Sequence, residues 1–173
     1  MSYKVDKKLH AICLILSSVI FFLLYSFTIE NVGASFDSVL SNFPTPIWPV
    51  NFLIASFVAI FIISLIHECI HALFYIIFGG KVKIGYKFIY AYTMETSGKA
   101  INCSKFVIIL LAPLVIISII SLSLNNWIGY MIFLYNLVGA TGDIVMAFTV
   151  FVHGKNGMIK DTKDGFDVIF LDQ

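Results

Sequence analysis

Arginine is absent from this chain, and charged residues of every kind make up only 12% of its 173 residues. Without arginine, and with a formal net charge of +1, the chain has no basic face of the kind that follows a phosphate backbone, which excludes nucleic acid as a partner. Cysteine is scarce. Cys13, Cys69 and Cys103 are odd in number and widely separated, so they form neither a disulfide framework nor a C-x-x-C metal site. What is abundant is apolar: hydrophobic residues make up 60% of the chain, against about half in a soluble domain. The composition is that of an integral membrane protein.

Within a long apolar run lies Ser64-Leu65-Ile66-His67-Glu68-Cys69-Ile70-His71-Ala72, an H-E-x-x-H pattern. On a helix His67 and His71 are one turn apart on one face, the spacing that two imidazoles need to grip one zinc ion. Glu68 cannot be a third ligand from the same turn without distorting it. Its carboxylate can instead reach a water beside the metal, as the general base of a metalloprotease does. Helical histidines are more often satisfied polar residues than ligands, and the pattern can arise by chance. Ionisable groups deep in hydrocarbon, however, each cost roughly 2.5 to 3.5 kcal/mol on insertion scales, and three within five residues are hard to explain as structure alone. Cys69, two residues after His67, points away from the ligand face and reads as a small buried filler.

In chain order, Lys4, Lys7 and Lys8 precede an apolar run over about 9–29 that is long enough to span a bilayer and resembles a retained signal anchor. Residues 30–49 have no lysine and three of the four prolines, which predicts an irregular loop along the membrane surface with Trp48 as an interfacial anchor. A second span over about 50–78 ends at Gly79-Gly80. From 81 to 94 apolar and polar residues alternate, which predicts one strand. A turn at 96–99 and a short return strand at 100–102 complete a hairpin, either resting on the bilayer or offering an edge to extended substrate. Asn102 or Ser104 can cap a third span over about 105–124, kinked by Pro113, to which no chemistry is assigned. A fourth span runs over about 127–152. The tail, 154–173, carries one strand around Phe166–Phe170 that could join the hairpin.

The expected fold is therefore an α-helical polytopic membrane protein, a single domain over 1–173 with about four transmembrane helices and a small cytoplasmic β-hairpin between spans two and three. The N-terminal segment, the 79–105 loop and the tail hold all eleven lysines, which places both termini in the cytoplasm of a multi-pass cell-membrane protein.

Glu68 and Asp143 are the charged residues in the interior of a span. Cys69 lies ten residues before Gly79 and Asp143 ten residues before His153, so both sit about 15 Å from the inner ends of their helices. Two spans running the same way then bring His67, His71 and Asp143 to one level. Two histidines and one carboxylate leave the fourth position open, as in a catalytic rather than a structural zinc site. Gly139, Ala140 and Gly142 are small enough to let helices approach closely. Asn136, two turns before Asp143 on the same face, either orients a substrate carbonyl or bonds another helix.

His67-Glu68-x-x-His71 in a membrane helix, then a β-rich loop, then Asn136 and Gly142-Asp143, resembles the site-2-protease group of intramembrane zinc metalloproteases. More closely, the chain resembles a compact bacterial family of zincin-type membrane peptidases. The resemblance implies one zinc ion per chain, peptide cleavage within the bilayer, and a membrane-spanning or membrane-associated protein substrate. It departs from the site-2 pattern in having Leu137 after the asparagine and Ile144 after the aspartate, where that group usually has proline and glycine. A rival class is a non-catalytic zinc-binding membrane sensor or interaction protein using the same ligands. A requirement for Glu68 separates the two.

Overall fold

A computed structural model describes residues 2–4, 6–28, 30, 48–87, 90–154, 157–162 and 165–170. The long helices are built from uninterrupted apolar sequence. They are α1 (Lys7–Leu23), α3 (Trp48–Ile77) and α4 (Cys103–Ser123), with α2 (Tyr25–Thr28) a single turn after α1. Asp6 caps α1 by accepting from the Lys8 and Leu9 amides. Asn102 caps α4 by accepting from Ser104 N–H, whereas Ser104 does not act as the cap.

The expected fourth span is two helices. α5 (Trp127–Gly139) and α6 (Thr141–His153) meet at Ala140 with a bend of 49°. Small residues around Ala140 weaken helix continuity, and α1 supports the break: Ser17 Oγ donates to Val138 O at 3.1 Å and lies 3.0 Å from Thr141 Oγ1. Among the described residues, Val50–Ile77 and Cys103–Ser123 are long and apolar enough to cross a membrane, and the bent pair makes a third span if taken as one. The expected four-span count is not reached, because α1 ends at Leu23 after 17 residues, short of the run predicted over 9–29. Large apolar side chains such as Leu53, Ile76, Ile119 and Phe148 lie exposed on the outer faces of these helices, as lipid-facing residues do. Most of the 30–49 loop lies outside the described residues. Glu30, Trp48 and Pro49 are the exceptions, and the last two begin α3.

The β residues also depart from expectation. The 81–94 stretch is not one strand: β2 (Val82–Lys87) pairs antiparallel with β3 (Tyr90–Glu95), and Phe88 and Ile89 between them lie outside the described residues. Val82 and Ile84 stand opposite Glu95 and Thr93, while Tyr92 and Met94 stand opposite Gly85 and Lys83, so the apolar residues of the two strands fall on opposite faces and the unbroken alternation in sequence gives no sign of the reversal. The return strand, β4 (Ile101–Asn102), pairs with the tail instead of the hairpin. The tail supplies two strands, β5 (Met158–Thr162) and β6 (Gly165–Ile169), and with β1 (Ser2–Lys4) they form an antiparallel sheet in the order β1-β6-β5-β4. The apolar face of this sheet, Ile159, Phe166 and Val168, packs with Phe106, Ile109, Val150 and Tyr75 from the helices. The sheet thus closes one end of the helices, beside the H-E-x-x-H turn.

Candidate metal centre and its cavities

The H-E-x-x-H residues lie in the second half of α3. His67 and His71 are buried there, with ring centroids 4.7 Å apart. Asp143 sits in the first turn of α6, just past the bend, where the helix dipole favours a carboxylate. Its Oδ2 lies 3.0 Å from His67 Nε2 and its Oδ1 lies 3.6 Å from His71 Nε2.

The other nitrogen of each imidazole is held. His71 Nδ1 lies 2.8 Å from the Ile109 carbonyl, which can only accept, so Nδ1 carries a proton and Nε2 is the nitrogen turned to Asp143. That carbonyl is available because the residue four positions on is Pro113, which has no N–H to complete the helical bond. His67 Nδ1 lies 3.1 Å from Asn136 Oδ1, while Asn136 Nδ2 approaches the Pro113 and Leu114 carbonyls at 3.5 and 3.4 Å. The two carbonyls require the amide nitrogen on their side, which leaves Oδ1 to accept from His67. Both histidines therefore turn Nε2 towards Asp143, held by partners of the kind that orient metal-ligating imidazoles.

The donor set fits a metal. One ligand atom from each of His67, His71 and Asp143 can be chosen so that all lie within 4.8 Å of one another. Ligands about 2.0 to 2.1 Å from a tetrahedral zinc ion are about 3.3 Å apart, and the two histidine–carboxylate distances straddle that value.

Two cavities meet at this cluster, and Glu68 and Asp143 line both. One, of about 370 Å³, reaches the sheet side and is also lined by His71, Tyr75, Thr93 and Asp161. The other, of about 750 Å³, runs between the helices past Phe57, Phe61, Ile63 and Met146. His10 of α1 borders both.

β3 forms a wall of the smaller cavity through Ala91, Tyr92, Thr93 and Met94. Thr96 N–H donates to Lys81 O at 2.7 Å, and the antiparallel alternation then makes Lys83–Met94 and Gly85–Tyr92 the hydrogen-bonded pairs. Ala91, Thr93 and Glu95 consequently turn their main-chain groups away from β2. The Thr93 hydroxyl donates to the Glu68 carbonyl at 3.0 Å, which ties this strand to the motif.

Three sequence readings change here. Of the two expectations for Asn136, the structure shows the bond to other helices: the residue is buried and its amide is engaged by His67 and α4. A Cβ added at Gly139 or Gly142 would meet no atom within 4 Å, so neither glycine is a point of close helix approach, whereas Ala140 is fully buried. Cys69 is exposed, not a buried filler. Two residues were missed altogether. Asp161 left no sequence signal, but a proline four positions after a residue on a neighbouring span marks a carbonyl free to accept, and that could have singled out Ile109.

No curated protein and no solved structure matches the chain. A family model does match, over residues 60–157, which is more than half of the sequence and contains His67, Glu68, His71, Asn136 and Asp143. The chain belongs to that family, described as "Putative zincin peptidase".

Proposed function

We propose that the protein is a zinc metallopeptidase that hydrolyses peptide bonds of membrane-associated protein substrates at a site within the bilayer, in the manner of the site-2 proteases. The observation that carries this reading is the convergence of His67, His71 and Asp143 beside Glu68 where two cavities meet. His67, His71 and Asp143 hold the metal, one ion per chain, through the two Nε2 atoms and a carboxylate oxygen. Zinc held there supplies Lewis acidity, activating water and polarising the scissile carbonyl.

Glu68 takes the proton of the attacking water and delivers it to the leaving amine, acting as base and then acid. Asn136 and the Ile109 carbonyl keep the two imidazoles oriented through the reaction. The larger, apolar cavity receives a membrane-spanning segment, and the smaller one admits water from the sheet side. A helical segment hides its carbonyls, so the scissile stretch is held extended against the outward edge of β3 at Ala91 and Thr93. In the membrane α1 joins α3, α4 and the bent pair as the fourth span, with the lysine-rich loops, both termini and the sheet on the cytoplasmic side of a bacterial cell membrane.

Glu68→Gln tests the reading. The variant removes the proton acceptor and no ligand, so it retains about one zinc per chain. Turnover of single-span peptides reconstituted in vesicles falls roughly 10² to 10⁴-fold. Unchanged turnover in Glu68→Gln would sink the proposal, and a wild-type protein that binds zinc but cleaves none of the peptides would identify the chain as a metal-binding sensor or interaction protein.

A further inference from the structure

Asp161 belongs neither to the histidine cluster nor to the segment that the family model matches, yet it lines the cavity shared by Glu68, His71 and Asp143. One oxygen, Oδ2, accepts two hydrogen bonds, from the Tyr75 hydroxyl at 3.1 Å and from Glu95 N–H at 2.8 Å. Tyr75 is one turn beyond His71 on the motif helix. Glu95 is the last residue of β3 and closes the base of the hairpin, its carboxylate accepting from the amides of Lys81, Ser97 and Gly98 at 3.0, 2.8 and 2.9 Å. Burial pushes the Asp161 carboxyl up to about 6, although the bonds from Glu95 and Tyr75 favour its charged form.

These contacts give the β3 edge an end. Ala91, Thr93 and Glu95 turn their main-chain groups outward, and at Glu95 the outward N–H is already taken by a side chain from the other sheet. β3 is therefore fixed to α3 at two points two residues apart, directly where Thr93 bonds Glu68 and through Asp161 where Glu95 is bridged to Tyr75. A carboxylate that stops a strand edge beside a hydrolytic site does two things: it sets the height of the edge above the site, and it limits how far a paired chain can run.

We infer that Asp161 is a positioning residue for substrate: it caps the third outward amide of β3, restricts an extended chain to the rungs at Ala91 and Thr93, and so fixes which peptide bond lies over Glu68. The inference rests on the proposed peptidase function. Asp161 acts through Tyr75 and Glu95, the partners it bonds.

The test compares the full-length wild type with Asp161→Ala and Asp161→Asn in detergent micelles. It measures amide hydrogen exchange across 90–98, zinc per chain, and cleavage of labelled single-span peptides, with product termini read by mass spectrometry. Asp161→Ala is expected to speed exchange at Glu95, spread the cleavage positions and lower kcat/KM roughly tenfold to a hundredfold at unchanged zinc content. Asp161→Asn keeps an oxygen that can accept from both partners, and restores the wild-type pattern. Wild-type cleavage positions and rate in Asp161→Ala, or unchanged exchange at Glu95, would overturn the inference. If the wild type binds no zinc or leaves these peptides intact, the peptidase reading fails by itself, and exchange at Glu95 still decides whether Asp161 caps the strand. Should Asp161→Ala not fold, Tyr75→Phe removes one of the two bonds; faster exchange at Glu95 supports the inference, and none overturns it.

Discussion

The two helical regions that build the metal centre do so in opposite ways. α3 runs unbroken over Trp48–Ile77 and presents His67, Glu68 and His71 by helical spacing alone. The partner region is broken: α5 and α6 bend by 49° at Ala140, with Asn136 before the break and Asp143 after it. A straight helix places residues four apart on one face. In the broken region Asn136 and Asp143, seven residues apart on either side of the bend, give an amide oxygen to Nδ1 and a carboxylate to Nε2 of the same His67. One bent chain segment thus contacts both sides of one ring. Regular structure thus supplies the ligands that repeat, and irregular structure supplies those that must converge.

The largest effect comes from removing the ligand that only the broken region offers. Asp143→Ala deletes one of three protein ligands, so zinc falls well below one per chain and activity falls with it. Metal analysis of the folded variant checks this. Full occupancy would mean that α3 holds the ion with help from elsewhere, and the comparison between the two regions would lose its chemical meaning.

The same contrast governs what could be read beforehand. The motif on α3 was legible because its period is the helix period, and the count of ten residues to each helix end brought Asp143 to its level without knowledge of the bend. The bend itself left no sign, since Gly139, Ala140 and Gly142 read equally well as packing residues. The reversal between β2 and β3 was hidden as well: apolar and polar residues alternate without a break from 81 to 94, although the pairing puts the apolar residues of the two strands on opposite faces. The tail sheet was half legible. Phe166, Val168 and Ile159 show strand character, but pairing with β1 and β4 joins residues from the two ends of the chain, and no local pattern encodes that.

A smaller effect separates the two histidines by their outer partners. Asn136→Ala removes the acceptor of His67 Nδ1–H and leaves His71 untouched. Loss of such a partner lowers metal affinity about tenfold to a hundredfold. Competition with a calibrated zinc chelator measures it, and an unchanged affinity would show that Asp143 alone orients His67.

The smallest effect concerns Pro113, whose part in the site is an absence. The proline has no N–H for the Ile109 carbonyl, and that carbonyl receives His71 Nδ1–H at 2.8 Å instead. Pro113→Ala restores a helical donor to the same oxygen. A carbonyl has two lone pairs, so the helix bond and the imidazole bond can share it, and His71 keeps a weakened partner. The loss of zinc affinity should therefore be several-fold, below that of Asn136→Ala. The two variants also differ in which ring they disturb: in nitrogen-15 histidine spectra Pro113→Ala shifts the His71 Nδ1–H resonance and leaves His67 in place, while Asn136→Ala does the reverse. Removing a buried proline ring also opens a small void, so the thermal midpoint of the variant is recorded beside its affinity. A variant with lowered stability but wild-type affinity and an unmoved His71 resonance would reduce Pro113 to a packing residue. The Ile109 carbonyl would then hold His71 equally well with or without the proline.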